Sequence, residues 1–243
     1  MGALFGVLYS VVVYVLFAAT FCYAIGFIGD VAVPKSLDSG TPGPLAQALA
    51  VDLLLLGIFA VQHSVMARRS FKAWWTRIVP PAVERSTFVL AATAALALIC
   101  WQWQPIPEPV IWHVENALGA QLLRAVFWLG WVVLLLSTFL IDHFELFGVH
   151  QALSSLLARE APAPKFRTPL LYRYVRHPIY LGFVLGMWAA PVMSAGHLLF
   201  AAGATGYIFV GIWFEERDLV HQFGDQYRRY REQVGMLFPG RRG

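Results

Sequence analysis

The chain has 243 residues, of which 58% are apolar, well above the roughly 45–50% of soluble chains. Asp, Glu, Lys and Arg make up only 13%, about half the usual share, which excludes a disordered chain and an ordinary solvated globule. The net charge of +4 gathers at the ends of apolar runs and forms no basic stretch of the kind that holds nucleic acid, leaving a polytopic membrane protein surrounded by membrane lipids.

Residues 1–29 carry no charge before Asp30, enough at about 1.5 Å per residue to cross a hydrocarbon core of about 30 Å with some tilt. No basic segment precedes them, so this reads as a retained helix and not as a cleaved signal. Further spanning runs go from Leu45 to Met66, from Ser86 to Trp103 and from Leu122 to Ile141. The last apolar stretch, Pro178 to Phe214, is too long for one crossing and slightly short for two full ones. A break at Pro191-Val-Met-Ser-Ala-Gly-His197 is expected to fold it into a tight helical hairpin. The fold class is therefore all-α, a transmembrane bundle of about six segments. From Glu215 to Val234 the residues Leu219, Val220, Phe223, Tyr227 and Tyr230 recur at helical steps, predicting an amphipathic C-terminal helix on the membrane surface.

Basic residues near helix ends stay on the cytoplasmic side, and 16 of the 18 fall on one face of a six-segment arrangement with both termini cytoplasmic. Only Lys35 and Arg124 fall on the other. Pro-rich pieces, including Thr41-Pro-Gly-Pro44, Pro105-Ile-Pro107-Glu-Pro109 and Ala161-Pro-Ala-Pro164, punctuate the segments. Cys22 and Cys100 lie in apolar runs and have neither disulfide nor zinc spacing.

The two ends of the hairpin carry the densest chemistry: Tyr172-Arg-Tyr-Val-Arg176-His177-Pro178-Ile-Tyr180-Leu-Gly182 on entry and Glu215-Glu216-Arg217-Asp218 on exit. A hairpin returns its end to the surface where it began, so these groups can face one another. Pro178 suits the first helical position, which places His177 and the first-turn N–H groups at the mouth. With Arg173 and Arg176 they suit a carboxylate or phosphate, and Glu215 and Glu216 suit ribose hydroxyls or an amine. The same residues also read structurally, the arginines as membrane anchors and the glutamates as the acidic first turn of the tail helix.

Polar residues within spanning runs are functional candidates. Asp52 reads as structural, paired with Arg124 or lying near the interface. His63, in Gln62-His63-Ser64, and His143, in Asp142-His143-Phe-Glu145, fall near cytoplasmic helix ends. An imidazole there can act as a base near neutral pH or be a hydrogen-bonded interfacial side chain. A metal held by His63, His143 and His177 has no spacing signal behind it, and no metal is expected. Most of the Trp excess reads as an interfacial belt.

Arg176-His-Pro-x-Tyr180-x-Gly182, the hairpin, Glu215-Glu216 and Phe223-Gly-x-x-Tyr227-x-x-Tyr230 together resemble the isoprenylcysteine carboxyl methyltransferase and phospholipid methyltransferase superfamily of integral membrane enzymes. Across the chain Gln62-His-Ser64, Trp74-Trp75, Glu84-Arg-Ser86, Trp101-Gln-Trp103 and Asp142-His-Phe-Glu-Leu-Phe-Gly148 are similar to one branch, the bacterial methanethiol S-methyltransferases. The resemblance implies S-adenosylmethionine as cofactor, held by Arg176, His177, Pro178, Tyr180, Glu215 and Glu216, and a small thiol as substrate. His143, Asp142, Glu145 and His63 would then be catalytic, as bases or orienting groups. It further implies a membrane part over residues 1–169, a cofactor-binding hairpin and tail over 170–239, and an inner-membrane enzyme whose site faces the cytoplasm. A lipid or prenylcysteine acceptor, or a haem-binding or transport protein, are the alternatives. No Gly-rich nucleotide loop follows a strand, so a doubly wound soluble methyltransferase fold is excluded.

Overall fold

The computed structural model describes residues 2–159 and 166–240. Ala161-Pro-Ala-Pro164, Lys165, Arg241 and Arg242 from the expected punctuation and basic faces lie outside the described residues. In chain order the elements are α1 (Gly2–Gly29), α2 (Leu45–Met66), α3 (Arg69–Trp75), α4 (Pro81–Gln102), β1 (Val110–His113), α5 (Ala117–Ile141), α6 (His143–Leu146), α7 (Val149–Leu156), α8 (Pro178–Trp188), β2 (Val192–Ser194), α9 (Ala195–Phe223) and α10 (Asp225–Gln233), with a 3-10 turn at Leu170–Arg173. Among the described residues α1, α2, α4, α5 and α9 are long and apolar enough to cross a membrane; the chain is an all-α integral membrane protein. Large side chains such as Phe5, Leu54, Leu122 and Phe139 are exposed on these helices, where lipid is their solvent.

The chain forms two compact units, Met1–Pro107 with Asp142–Ala163 and Glu108–Ile141 with Pro164–Gly243. In the first, α4 packs against α1 and α2, and α7 packs against α1 and α4. Val13, Phe88 and Val89 form a buried cluster covered by Phe17, Met66 and Phe147. Beside it Ser86 Oγ donates to Ser10 Oγ at 2.8 Å. Gly148 follows with φ +88°, and a side chain there would put Cβ 2.6 Å from the Ser86 backbone nitrogen, so both space and backbone conformation demand glycine. Asp52 is fully buried and accepts from the Gln104 backbone N–H at 2.9 Å. Its hydrogen-bond partner is thus the loop that follows α4.

In the second unit α5 lies along α8, and the contact is made of glycines. A Cβ on Gly130 would lie 2.7 Å from Gly182 O and Gly186 N, and one on Gly182 would lie 2.6 Å from Gly130 O. Gly182 and Gly186 are four residues apart, the small-residue spacing that lets two membrane helices touch backbone to backbone. α8 has 11 residues and reaches only about 16 Å, so it stops well short of a bilayer's thickness. Buried Ala189 and Ala190 follow, then β2, which pairs antiparallel with β1. Ser194 caps α9 by accepting from His197 N at 2.9 Å, and α9 returns antiparallel to α8, with Trp188 Nε1 donating to Thr205 at 2.9 Å.

The tail differs from the expected single amphipathic helix over 215–234. α9 runs on to Phe223, Gly224 turns the chain at φ +57°, and α10 is a separate, one-sided helix with Tyr227 buried and Arg228 and Arg229 exposed. Glu215 and Glu216 therefore sit near the C-terminal end of α9, which removes the reading of them as an acidic helix start. The tryptophan belt is also only partial: Trp101 and Trp74 are exposed, while Trp103 and Trp131 are core residues.

Candidate active site

At the mouth of the α8–α9 hairpin the segment 172–177 is pinned by the tail. Arg176 N donates to Gly235 O at 2.9 Å and His177 N to Met236 O at 3.1 Å. Pro178 starts α8 with no N–H to lose, so His177 is held half outside the helix with its ring turned to α9. Arg176 is 4% exposed; its Nε donates to Glu216 Oε1 at 2.8 Å, and Nη1 donates to Arg231 O at 2.9 Å and to Val234 O. His177 Nε2 lies 3.1 Å from the same Glu216 oxygen. One turn on, Tyr180 donates its hydroxyl to Glu215 Oε2 at 3.0 Å, with His177 Nδ1 3.8 Å from that oxygen.

All six residues expected at the hairpin mouth thus come together in one unit, through contacts separated by 35 to 40 positions in sequence. Their exposures divide the labour. Arg176 and His177 are buried and Glu216 nearly so, whereas the Glu215 side chain is 44% exposed and open to a ligand. Arg176 spends its donors on Glu216 and tail carbonyls, so it holds the carboxylate and the tail in place; the exposed Arg173 sits on the preceding turn. Tyr227, named in the tail motif but not among the six residues expected to hold the cofactor, adds a further group. It is 2% exposed, its hydroxyl has no hydrogen-bond partner among the described residues, and burial beside Glu216 and Glu215 pushes its pKa up. A buried hydroxyl left unpaired costs about 1–3 kcal/mol, so Tyr227 has a donor to give.

The second group lies in the other unit, at the corner joining α6 and α7. Asp142 caps α6, its Oδ1 accepting from Glu145 N at 3.0 Å, and its Oδ2 lies 3.4 Å from His150 Nδ1. His143 is 6% exposed among aromatic rings, with Tyr14 Oη 2.8 Å from its Nε2 and Phe147 edge-on at 4.8 Å. His63 is stacked on Phe59 and tilted against Phe88 at 4.8 Å. Asp142, Glu145 and His150 have polar atoms within 4.8 Å of one another; His143 and His63 are not part of that cluster, and neither is His177. Burial holds the His143 imidazole below the ordinary histidine range, while Asp142 pulls the other way. The fold therefore favours neutral His143. Its contribution is complete above the unfolded pKa of about 6.5 and is lost as the pH falls below that value toward the lowered folded one. Melting temperature in detergent is expected to fall more steeply between pH 7 and 5 in the native protein than in His143→Gln.

With both groups located, comparison with known proteins decides the family. The chain is 56% identical over 235 residues to methanethiol S-methyltransferase 1 of Bradyrhizobium diazoefficiens, covering 97% of this chain and 82% of that one. It is 55% identical to the methanethiol S-methyltransferase of Mycobacterium tuberculosis, covering 96% and 95%. The chain belongs to the methanethiol S-methyltransferase family. A more distant similarity, 31% over 182 residues, links this member to Nurim of Sus scrofa, with 70% of this chain and 68% of that one covered. No protein-family model and no solved structure matches the chain.

Matches to the family that reach 96–97% of the chain necessarily take in both groups, the hairpin mouth and the Asp142 corner. His150 is the residue at that corner that sequence reasoning passed over. The signal was available: it lies eight positions from Asp142 across the turn at Gly148, and a lone histidine on a polar helix drew no notice beside His143.

Proposed function

We propose that this chain transfers the methyl group of S-adenosylmethionine to methanethiol, releasing dimethyl sulfide. The observation that carries this is the convergence of Arg176, His177, Tyr180, Glu215 and Glu216 at the hairpin mouth, in a chain more than half identical to enzymes of that name.

S-adenosylmethionine carries a ribose diol, an amino acid head and an electrophilic methyl on a sulfonium. The residues fit it: Glu215 offers an exposed carboxylate for a hydroxyl or ammonium group, Tyr227 an unpaired donor, and Pro178 starts a helix whose first-turn N–H groups suit a carboxylate. Arg176 and His177 fix Glu216 from two directions, so its charge is preorganised before anything binds. At the other group His143, Asp142, Glu145 and His63 take the base and orienting roles for the thiol. Its sulfur becomes a good nucleophile only as the thiolate, and charge is annihilated when a thiolate meets a sulfonium, so a water-poor setting speeds the step.

The site faces the cytoplasm of the inner membrane in this reading. The positive-inside distribution puts the segment around residues 159–177 and the tail on that side, and a charged cofactor made in the cytosol must be met there. Incubating the detergent-purified protein with methyl-labelled S-adenosylmethionine and, separately, methanethiol, a prenylcysteine and phosphatidylethanolamine tests the acceptor. Label is expected only in the volatile fraction with methanethiol; label in the lipid extract would overturn the small-thiol reading.

A further inference from the structure

We propose that a phospholipid with a primary-amine headgroup, of the phosphatidylethanolamine type, is bound where α1 and α4 begin together, its headgroup in a charged cavity beside α7 and one acyl chain in an apolar cavity beside α1. All the residues concerned belong to the first compact unit. The lipid is a bound constituent of that unit and not the methyl acceptor.

Two cavities, each of about 260 Å³, share Ala82 as a wall. Glu145, His150, Gln151, Ser154 and Arg159 line the first; Gly2, Ala3, Phe5, Gly6 and Val83 line the second. α1 and α4 run side by side from their starts, with Tyr9 Oη 3.1 Å from Thr87 Oγ1 and a Cβ on Gly6 only 3.3 Å from Val83. One turn earlier a Cβ on Gly2 would meet nothing within 4 Å, so the second cavity has room for an apolar chain there. Each cavity alone falls below the roughly 300–1,000 Å³ of small-molecule sites, and the two together fall within it.

One charged cavity and one apolar cavity across a shared wall match an amphiphile. Arg159 and Glu145 place a cation and a carboxylate in the same cavity, and both residues are exposed. A zwitterionic headgroup answers both: its phosphate accepts from Arg159 and the Ser154 hydroxyl, and its ammonium donates to Glu145. Glu145 orients Asp142 through its backbone N–H, which leaves its carboxylate for the lipid. An anionic headgroup would bring a second negative charge to Glu145 with no ammonium to offset it, and a choline headgroup has no N–H to donate. α7 suits the depth at which a headgroup lies: His150, Gln151 and Ser154 line the cavity, while Leu153 and Leu156 of the same helix are exposed, the two-faced pattern of a helix at the membrane interface.

Native mass spectrometry of the detergent-purified full chain, given equal amounts of phosphatidylethanolamine, phosphatidylcholine and phosphatidylglycerol with matched acyl chains, tests this. Phosphatidylethanolamine is expected to be retained about 10-fold more than either of the others, as hydrogen bonds to charged groups allow, and to raise the melting temperature because it binds the folded state. Glu145→Gln and Arg159→Ala should each lower that retention by about 10-fold. Gly2→Leu, which fills the apolar cavity without meeting backbone, should lower it independently of charge. Arg77→Ala removes an equally exposed cation from outside the cavity and should bind lipid as the native protein does. Equal retention of the three lipids would reduce the site to ordinary lipid contact, and stronger retention of phosphatidylglycerol would make it a site for anionic lipid; either overturns the proposal. So does native retention of phosphatidylethanolamine in Glu145→Gln, Arg159→Ala or Gly2→Leu.

Discussion

Glu216→Ala is expected to abolish S-adenosylmethionine binding, with affinity falling by at least about 100-fold, or about 2.8 kcal/mol. The reason is geometric before it is electrostatic. One carboxylate oxygen of Glu216 receives Arg176 Nε at 2.8 Å and His177 Nε2 at 3.1 Å, so its loss releases both side chains at once. Arg176 would remain with a side chain only 1% exposed and no counter-charge, a defect that costs about 3–5 kcal/mol when one partner of a buried pair is removed. Its contacts to the Arg231 and Val234 carbonyls would then loosen the tail that pins His177. Glu216→Gln keeps an acceptor of the same shape and should retain the fold while still weakening binding. Arg228→Ala, on the exposed side of α10 where its side chain pairs with Asp225, should bind normally. Calorimetry on detergent-purified variants with native circular dichroism checks this; native affinity in folded Glu216→Ala would remove Glu216 from the site.

The second large effect lies away from the charged groups. Gly182→Leu is expected to prevent accumulation of folded protein, and Gly182→Ala to cost about 1–3 kcal/mol, with each kcal/mol worth roughly 2–4 °C of melting temperature. Any Cβ at this position would lie 2.6 Å from Gly130 O and 2.8 Å from the Leu134 backbone nitrogen, and backbone cannot rotate aside as a side chain can. The two helices must separate, and α8 carries Pro178 and Tyr180 on the turns just before. Gly182→Ala should therefore also weaken S-adenosylmethionine binding, through displacement of Tyr180. Gly206→Ala, in open space on α9, is the matched control. A Gly182→Leu protein with native melting temperature would show that the helices do not meet through these glycines.

Much of the fold was legible because lipid-facing helices announce themselves by length and composition alone. α2 runs over Leu45–Met66 as read, and the hairpin breaks at Pro191 as its excess length required. The starts of α4 and α5 were set too late. Pro80 and Pro81 are a helix-start signal, but Glu84 and Arg85 made that turn look like loop. Asn116 caps α5 by accepting from Leu118 N at 2.8 Å, a signal six residues before Leu122, where the apolar run was read to begin.

Other features depend on partners that a linear reading cannot see. Periodicity followed the tail's apolar residues across Gly224 without registering the turn, so Glu215 and Glu216 were placed beside a helix start when they belong to the end of α9. The four-residue spacing of Gly182 and Gly186 gains meaning only once Gly130 lies opposite. At the hairpin mouth the motif residues were read in full because two rare charged clusters flank one apolar stretch. Asp142 was equally visible, but its contact with His150 depends on the tight turn at Gly148.

The most direct test of the account is headspace mass spectrometry on the purified protein given methanethiol and S-adenosylmethionine deuterated on its transferable methyl. The account predicts dimethyl sulfide carrying that label in the native protein and none in His177→Ala. Unlabelled product, or labelled product undiminished in His177→Ala, would contradict it.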